Sequence, residues 1–285
     1  APQSPRRNPF HYCLNTSTIR GQKLGIVEEV QLVAQAGYQA IEPWMAEIDA
    51  YTKNGGSLKD LNKRIRDSGL TVESAIGFAP WIVNDASQRH QGLEQARREM
   101  GIIAELGGQR MAAPPAGAKT ETIELAAVPA RYRALLEVGQ QAGVAPELEV
   151  WGHSQTLSQL GEVLYVAAEA QHPQTCLLLD VYHLHRGGSG FDGLKLLSGQ
   201  SMHVMHVNDY PAQPKPPEIT DAHRVYPGDG VAPLGQIFRD LAANGFDGFL
   251  SLELFNREYW QQDALTVLKT GLEKTRAAVE QALAG

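Results

Sequence analysis

Thr175–His183 reads TCLLLDVYH, and Met202–Asp209 reads MHVMHVND. Each is a short apolar run of strand length that carries an ionisable side chain towards its end, Asp180 in the first and His206 in the second. The pattern extends in both directions. Pro146–Trp151 (PELEVW) and Gly248–Phe255 (GFLSLELF) follow the same plan, and the first half of the chain supplies Phe10–Ser17 (FHYCLNTS), Gln39–Trp44 (QAIEPW), Thr71–Phe78 (TVESAIGF) and Arg110–Pro115 (RMAAPP).

Between these runs lie segments with helical spacing, such as Ile26, Val30 and Val33, or Leu265, Leu268 and Leu272, which place apolar side chains on one face. Five helical patterns end in glycine before the next apolar run, at Gly37, Gly69, Gly107, Gly143 and Gly245. Glycine adopts the left-handed conformation cheaply, so these positions read as helix stops and the units as βα pairs. A doubly wound open sheet would show the same alternation. The absence of Gly-x-Gly-x-x-Gly after the first strand and the repetition about eight times favour a single-domain (β/α)8 TIM barrel. The expected division is a flexible N-terminal segment, residues 1–9, followed by the catalytic barrel, residues 10–285. One long loop, Pro211–Gly230, has no pattern of its own and is expected to cover a site.

A length of 285 residues suits one large domain of this kind. With 25 basic against 32 acidic side chains the net charge is −7, which argues against nucleic acid or an anionic membrane as partner and for a small ligand. No stretch approaches the roughly 18 to 20 uninterrupted apolar residues of a membrane-spanning helix, so the chain reads as soluble. Cys13 and Cys176 provide neither a disulfide framework nor a thiolate metal site and read as small buried residues. Ala1–Asn8 is polar and does not begin with Met. That start suits an exported protein with its signal peptide removed and a trimmed cytoplasmic one equally.

In a barrel of this kind the active site gathers at the carboxyl ends of the strands. Four consecutive strands carry an ionisable residue there: Glu149, Asp180, His206 and Glu253, each flanked by apolar neighbours. A carboxylate in such a run is costly to bury alone. Individually each could cap a strand or pair with an arginine; together, three carboxylates and an imidazole are better explained by one shared cation. The set suits Mn²⁺, Mg²⁺, Co²⁺ or Zn²⁺ and does not choose among them; Mn²⁺ is the expectation.

The segments ELEVWGHS, LLLDVYHLH, HVMHVND and LSLELF resemble those of the sugar phosphate isomerase/epimerase superfamily, the xylose isomerase-like TIM barrels. The likeness runs from Tyr12 to Phe255, with its specific motifs in the second half. It implies that Glu149, Asp180, His206 and Glu253 are the metal ligands, and that His183 and Arg224 contact substrate oxygens. The turn Pro227–Gly230 is a further family-like feature. The chemistry implied is removal of a proton next to a metal-polarised carbonyl to give an enediolate, with Glu149 and Glu253 as base and acid on opposite faces. Return of the proton to the other face gives epimerisation, and return to the neighbouring carbon gives isomerisation. Loss of a β-hydroxyl or β-glycosyloxy group gives dehydratase or lyase chemistry on a keto-sugar, keto-inositol or 3-keto-glycoside. The family also implies a possible homo-oligomer.

Further candidates for substrate contact are Glu42, Trp44 as a ring for the sugar's apolar face, His153 and His185. Glu147 shares the strand-face parity of Glu149 one layer deeper, where a carboxylate needs a partner. His11, His90, His172 and His203 read as ordinary surface or core residues. Two rival functions are weaker. Asp221-Ala222-His223 resembles an element of the metal phosphodiesterases, but GFAPW and AAPPAG lack the early-strand histidines of that branch, and the acidic charge opposes DNA. A non-catalytic sugar-binding barrel would be expected to have lost one of Glu149 and Glu253.

Overall fold

The structure is a computed structural model and describes residues 8–284. The first seven residues of the expected N-terminal segment therefore lie outside the described part, while Asn8 is tied to Tyr12, its amide donating to the phenol oxygen at 2.9 Å. Eight strands alternate with helices: β1 (His11–Asn15), β2 (Ala40–Glu42), β3 (Thr71–Val72), β4 (Arg110–Ala113), β5 (Ala145–Glu149), β6 (Leu177–Asp180), β7 (Met202–Val207) and β8 (Phe249–Leu252). The helices are α1 (Ile26–Ala36), α2 (Met45–Lys53), α3 (Leu58–Asp67), α4 (Ala86–Glu105), α5 (Val128–Ala142), α6 (Leu160–Ala170), α7 (Val181–Arg186), α8 (Leu234–Ala243) and α9 (Ala264–Ala284).

All neighbouring strands pair in parallel, in the order β3-β2-β1-β8-β7-β6-β5-β4. The two ends of this curled sheet meet at a backbone hydrogen bond from Ala112 N–H to the Ala75 carbonyl, 2.9 Å. The five glycines expected to stop helices all have positive φ, between 73° and 99°. Each strand is shorter than its apolar run. RMAAPP ends at Ala113 because proline cannot continue the ladder, and TCLLLDVYH stops at Asp180, whose carboxylate accepts from His183 N–H at 3.1 Å and so starts α7.

Alternation along the strands determines which side chains face the barrel axis. Leu148, Leu177, Leu179, Met205, Val207, Leu250 and Leu252 point outward and join the large core beneath the helices. Their neighbours Leu178 and Val204 point inward, packed with Ile76 and Ala112 as a small plug inside the barrel. One step further along the same inward rows stand Glu149, Asp180, His206 and Glu253, above the plug, so that apolar residues fill the barrel's middle and ionisable ones its carboxyl end. Cys13 and Cys176 are free and buried. No helix among the described residues is long and apolar enough to cross a membrane.

The loop 211–230 is not wholly patternless: it forms a single 3₁₀ turn, Asp221–His223, and an antiparallel bridge between Asp209 and Val225. That bridge anchors its return limb over the barrel mouth, and Arg224, only 1 % exposed, projects from it into the site.

Candidate metal centre

Strand register brings the first ligands together. Asp180 on β6 pairs with His206 on β7, and Glu253, immediately past β8, donates its N–H to the Val207 carbonyl at 3.2 Å. Asp180, His206 and Glu253 consequently place one ligand atom each within 4.8 Å of one another. His206 Nδ1 faces Glu253 Oε2 at 3.2 Å and Asp180 Oδ2 at 3.5 Å, is buried, and has no hydrogen-bond partner. A fully buried ring nitrogen aimed between two carboxylate oxygens fits a divalent cation. Glu149 stands outside this three-residue group but lines the cavity directly above it together with Glu253.

The other nitrogen of the imidazole is held from behind. His206 Nε2 lies 2.9 Å from Glu42 Oε1, which also accepts from Asn15 Nδ2 at 2.9 Å and Ser251 Oγ at 2.8 Å. Glu42 is completely buried. It lies behind the imidazole and outside the cavity lining, so the expected contact with a sugar hydroxyl is replaced by one with His206. Asn15 and Asn208, which the sequence did not single out, brace the carboxylates: Asn15 Nδ2 donates to Glu253 Oε1 at 3.1 Å and Asn208 Nδ2 to Asp180 Oδ1 at 3.2 Å. Their signal was an uncharged amide inside or next to a strand-end apolar run.

Arg224 Nη1 lies 2.9 Å from both Asp180 Oδ2 and Glu253 Oε2, the same oxygens that face His206 Nδ1. Its Nη2 donates to Asp221 Oδ1 at 2.6 Å and approaches His183 Nε2 at 3.2 Å. Gly152 N–H donates to His183 Nδ1 at 3.1 Å, so each ring nitrogen of His183 faces a donor, the backbone amide on one side and the Arg224 guanidinium on the other. Burial pushes the His183 pKa down to about 3, which keeps that ring neutral.

The charges follow from these contacts. Burial opposes ionisation of Asp180, yet Arg224, and after it His206, hold its carboxyl well below the usual range. Burial likewise disfavours a charged His206, but Glu253 and Glu42 outweigh it and raise the imidazole well above its usual value. Glu149 has only a weak partner, Trp151 Nε1 at 3.3 Å, and burial pushes its carboxyl well up. Glu147 has no hydrogen-bond partner on either oxygen, and burial raises it to about 8. The partner expected for it is absent among the described residues.

The cavity over these residues measures about 190 Å³, and Trp44, His153, His183 and Arg224 all line it. His153 packs against Trp151 and His183, with ring centroids 5.0 and 5.2 Å away. His185 is not part of the lining: it stacks on Tyr210 at 3.8 Å and 10°, which turns it away from the expected substrate contact. His11, His90, His172 and His203 also lie outside the lining. Trp44, Phe78, Trp151 and Phe255 form an aromatic rim, of which the sequence analysis singled out only Trp44. Asp221 is tied to Arg224, and His223 Nδ1 accepts from Thr220 N–H at 3.0 Å. Asp180, His206 and Glu253 are the one metal-holding group found among the described residues, so Asp221 and His223 build no second centre of the phosphodiesterase kind.

An eight-stranded parallel α/β barrel with a carboxylate and imidazole cluster at the carboxyl ends of its strands defines a class of metal-binding barrels. Within it, the chain belongs to the xylose isomerase-like TIM barrel family, whose model matches residues 30–277. It is similar to an inosose isomerase of Bacillus velezensis, 25 % identical over 94 % of this chain and 97 % of the relative. It is also similar to a 3-dehydroshikimate dehydratase of Pseudomonas putida, 22 % identical over 89 % of this chain and 41 % of that longer one. A crystal structure of the IolI protein with a bound zinc atom superposes with a TM-score of 0.89 and 22 % identity, covering 96 % of this chain and 99 % of that one.

Proposed function

We propose that this protein is a divalent-metal-dependent isomerase or epimerase of a small keto-sugar or related polyol, working through an enediolate. The observation that carries the reading is the buried, unpartnered His206 Nδ1 directed between Asp180 and Glu253. A divalent ion held there supplies polarisation of a ketone oxygen and so lowers the cost of removing the neighbouring proton. Mn²⁺, Mg²⁺, Co²⁺ and Zn²⁺ all suit the donor set. Glu149 completes the ligand set from the cavity side.

Glu149 and Glu253 both border the cavity and hold or accept the proton exchanged at the carbon beside the carbonyl. His183 and Arg224 line the cavity beside these carboxylates, where the oxygens of a substrate would lie. Trp44 and Trp151 offer ring faces to the sugar's C–H side. Arg224 is the one basic Lys or Arg side chain in the lining, and its nitrogens are already engaged with Asp180, Glu253 and Asp221, which favours a substrate without phosphate. The isomerase relative supports this reading.

The dehydratase relative supports a second reading on the same residues. After proton removal by a carboxylate, the bond to a β-oxygen breaks instead, the electron pair leaves with that oxygen, and the oxygen takes a proton to depart as water or an alcohol.

Incubating metal-loaded protein in D₂O with keto-sugars, keto-inositols and 3-keto-glycosides, followed by NMR, separates these outcomes. Deuterium beside the carbonyl with a new epimer or isomer supports the first reading, and an unsaturated ketone supports the second. Absence of exchange with every metal and substrate would overturn both.

A further inference from the structure

The metal cavity has a neighbour on the far side of its aromatic rim. Trp44 and Phe78, which wall it on one side, also wall a second, larger hollow of about 710 Å³. Its other surfaces come from the start of α1, at Ile26 and Val27, and from Ala46, Ala50 and Tyr51 on α2. The groove is largely apolar, and Phe78 stays 41 % exposed at the junction between the two spaces.

Two charged groups enter it. Glu47 is committed, accepting from Thr16 Oγ1 at 2.6 Å and from Trp44 N–H at 3.2 Å. Arg20 is not: its guanidinium lies 3.9 Å over the Trp44 ring, and Nη2 is buried without a hydrogen-bond partner. A donor left unsatisfied beside a cavity invites an acceptor from a ligand.

Size decides between a self-contained sugar site and a longer one. Small-molecule clefts usually measure roughly 300–1,000 Å³. At about 190 Å³ the metal cavity falls below that range, whereas the adjoining groove, at about 710 Å³, lies within it.

We propose that the groove receives an apolar, ring-sized group carried by the substrate, so that the substrate is a glycoside or similar conjugate of the keto-sugar rather than the free sugar. This rests on the function proposed above. The sugar lies at the metal centre, the apolar group passes over the packed Trp44–Phe78 pair onto α1 and α2, and the Arg20 guanidinium, once it turns from the Trp44 ring, donates to an oxygen of the link. The two spaces adjoin across the Trp44–Phe78 pair, which singles out the substrate as occupant.

The test compares phenyl and methyl 3-keto-β-D-glucopyranoside as substrates of the metal-loaded protein and of Ala50→Trp, which fills the groove from an exposed helical position. Ala46→Trp, one turn earlier, repeats it. The phenyl compound is expected to have a kcat/KM at least tenfold above the methyl one, and the substitutions are expected to erase that preference with metal content unchanged. Equal handling of the two, or a preference that survives both substitutions, would overturn the proposal while leaving the isomerase reading intact.

If neither compound reacts, saturation-transfer NMR with phenyl β-D-glucopyranoside still decides the groove. Transfer to the phenyl protons that disappears in Ala50→Trp supports it, and no transfer overturns it. Equal handling combined with a halved solution mass in Ala50→Trp would assign the groove to a second copy of the chain.

Discussion

His206 is held through one ring nitrogen, with Nε2 2.9 Å from Glu42 Oε1, which leaves Nδ1 turned to Asp180 and Glu253. A carboxylate behind a metal-ligating imidazole fixes its tautomer and raises its basicity. Glu42→Gln is therefore expected to weaken metal binding by about 10- to 100-fold. Competition with a chelator, read by metal analysis, checks this; unchanged affinity would relegate Glu42 to packing.

Glu149→Gln is expected to lower turnover by about a thousandfold or more, since it removes a proton-transferring group of the kind that contributes about 10²–10⁴-fold. It should also weaken metal retention, because the amide is a poorer ligand than the carboxylate. Steady-state rates alongside metal content separate the two roles, and unchanged kinetics would remove Glu149 from the mechanism.

Arg224 Nη1 neutralises Asp180 and Glu253 from a fully buried position. Arg224→Ala is expected to destabilise chelator-treated protein by about 3–5 kcal/mol, the usual cost of stranding one side of a buried ion pair. Added metal should recover most of this, because a ligand that binds only the folded state stabilises it. Thermal melts with and without metal should thus show a larger metal-induced rise in Tm for the variant than for the parent. A smaller rise, or a variant unable to take up metal, would mean that Arg224 helps to hold the ion.

Glu147 makes stability depend on pH. Burial raises its carboxyl to about 8, above the roughly 4.3 of a free glutamate, so the folded chain retains a proton that the unfolded chain releases. Stability from the neutral acid is complete below about pH 4 and is lost as pH rises through about 8. Glu147→Gln should remove this slope, gaining on the parent by a few kcal/mol, in order of magnitude, between pH 5 and 8. Urea unfolding at several pH values measures it, and parallel curves for the two proteins would reject it.

Much of the site was legible because strand alternation is a local property. Once Leu148, Leu179, Met205 and Leu252 face the helices, their neighbours Glu149, Asp180, His206 and Glu253 must face the axis. The five helix-stopping glycines were legible for the same reason: left-handed φ belongs to a single residue.

What the sequence by itself determined is thus the βα rhythm, the count of eight strands and the inward row of ionisable residues. Only the tertiary structure decided that Glu42 stands behind His206, that His185 lies on Tyr210, that a loop arginine reaches the carboxylates, and that Trp44 divides two spaces. Those relations join residues far apart in the chain, and they follow from register, barrel closure and the path of one loop, none of which is written in the spacing of any single element.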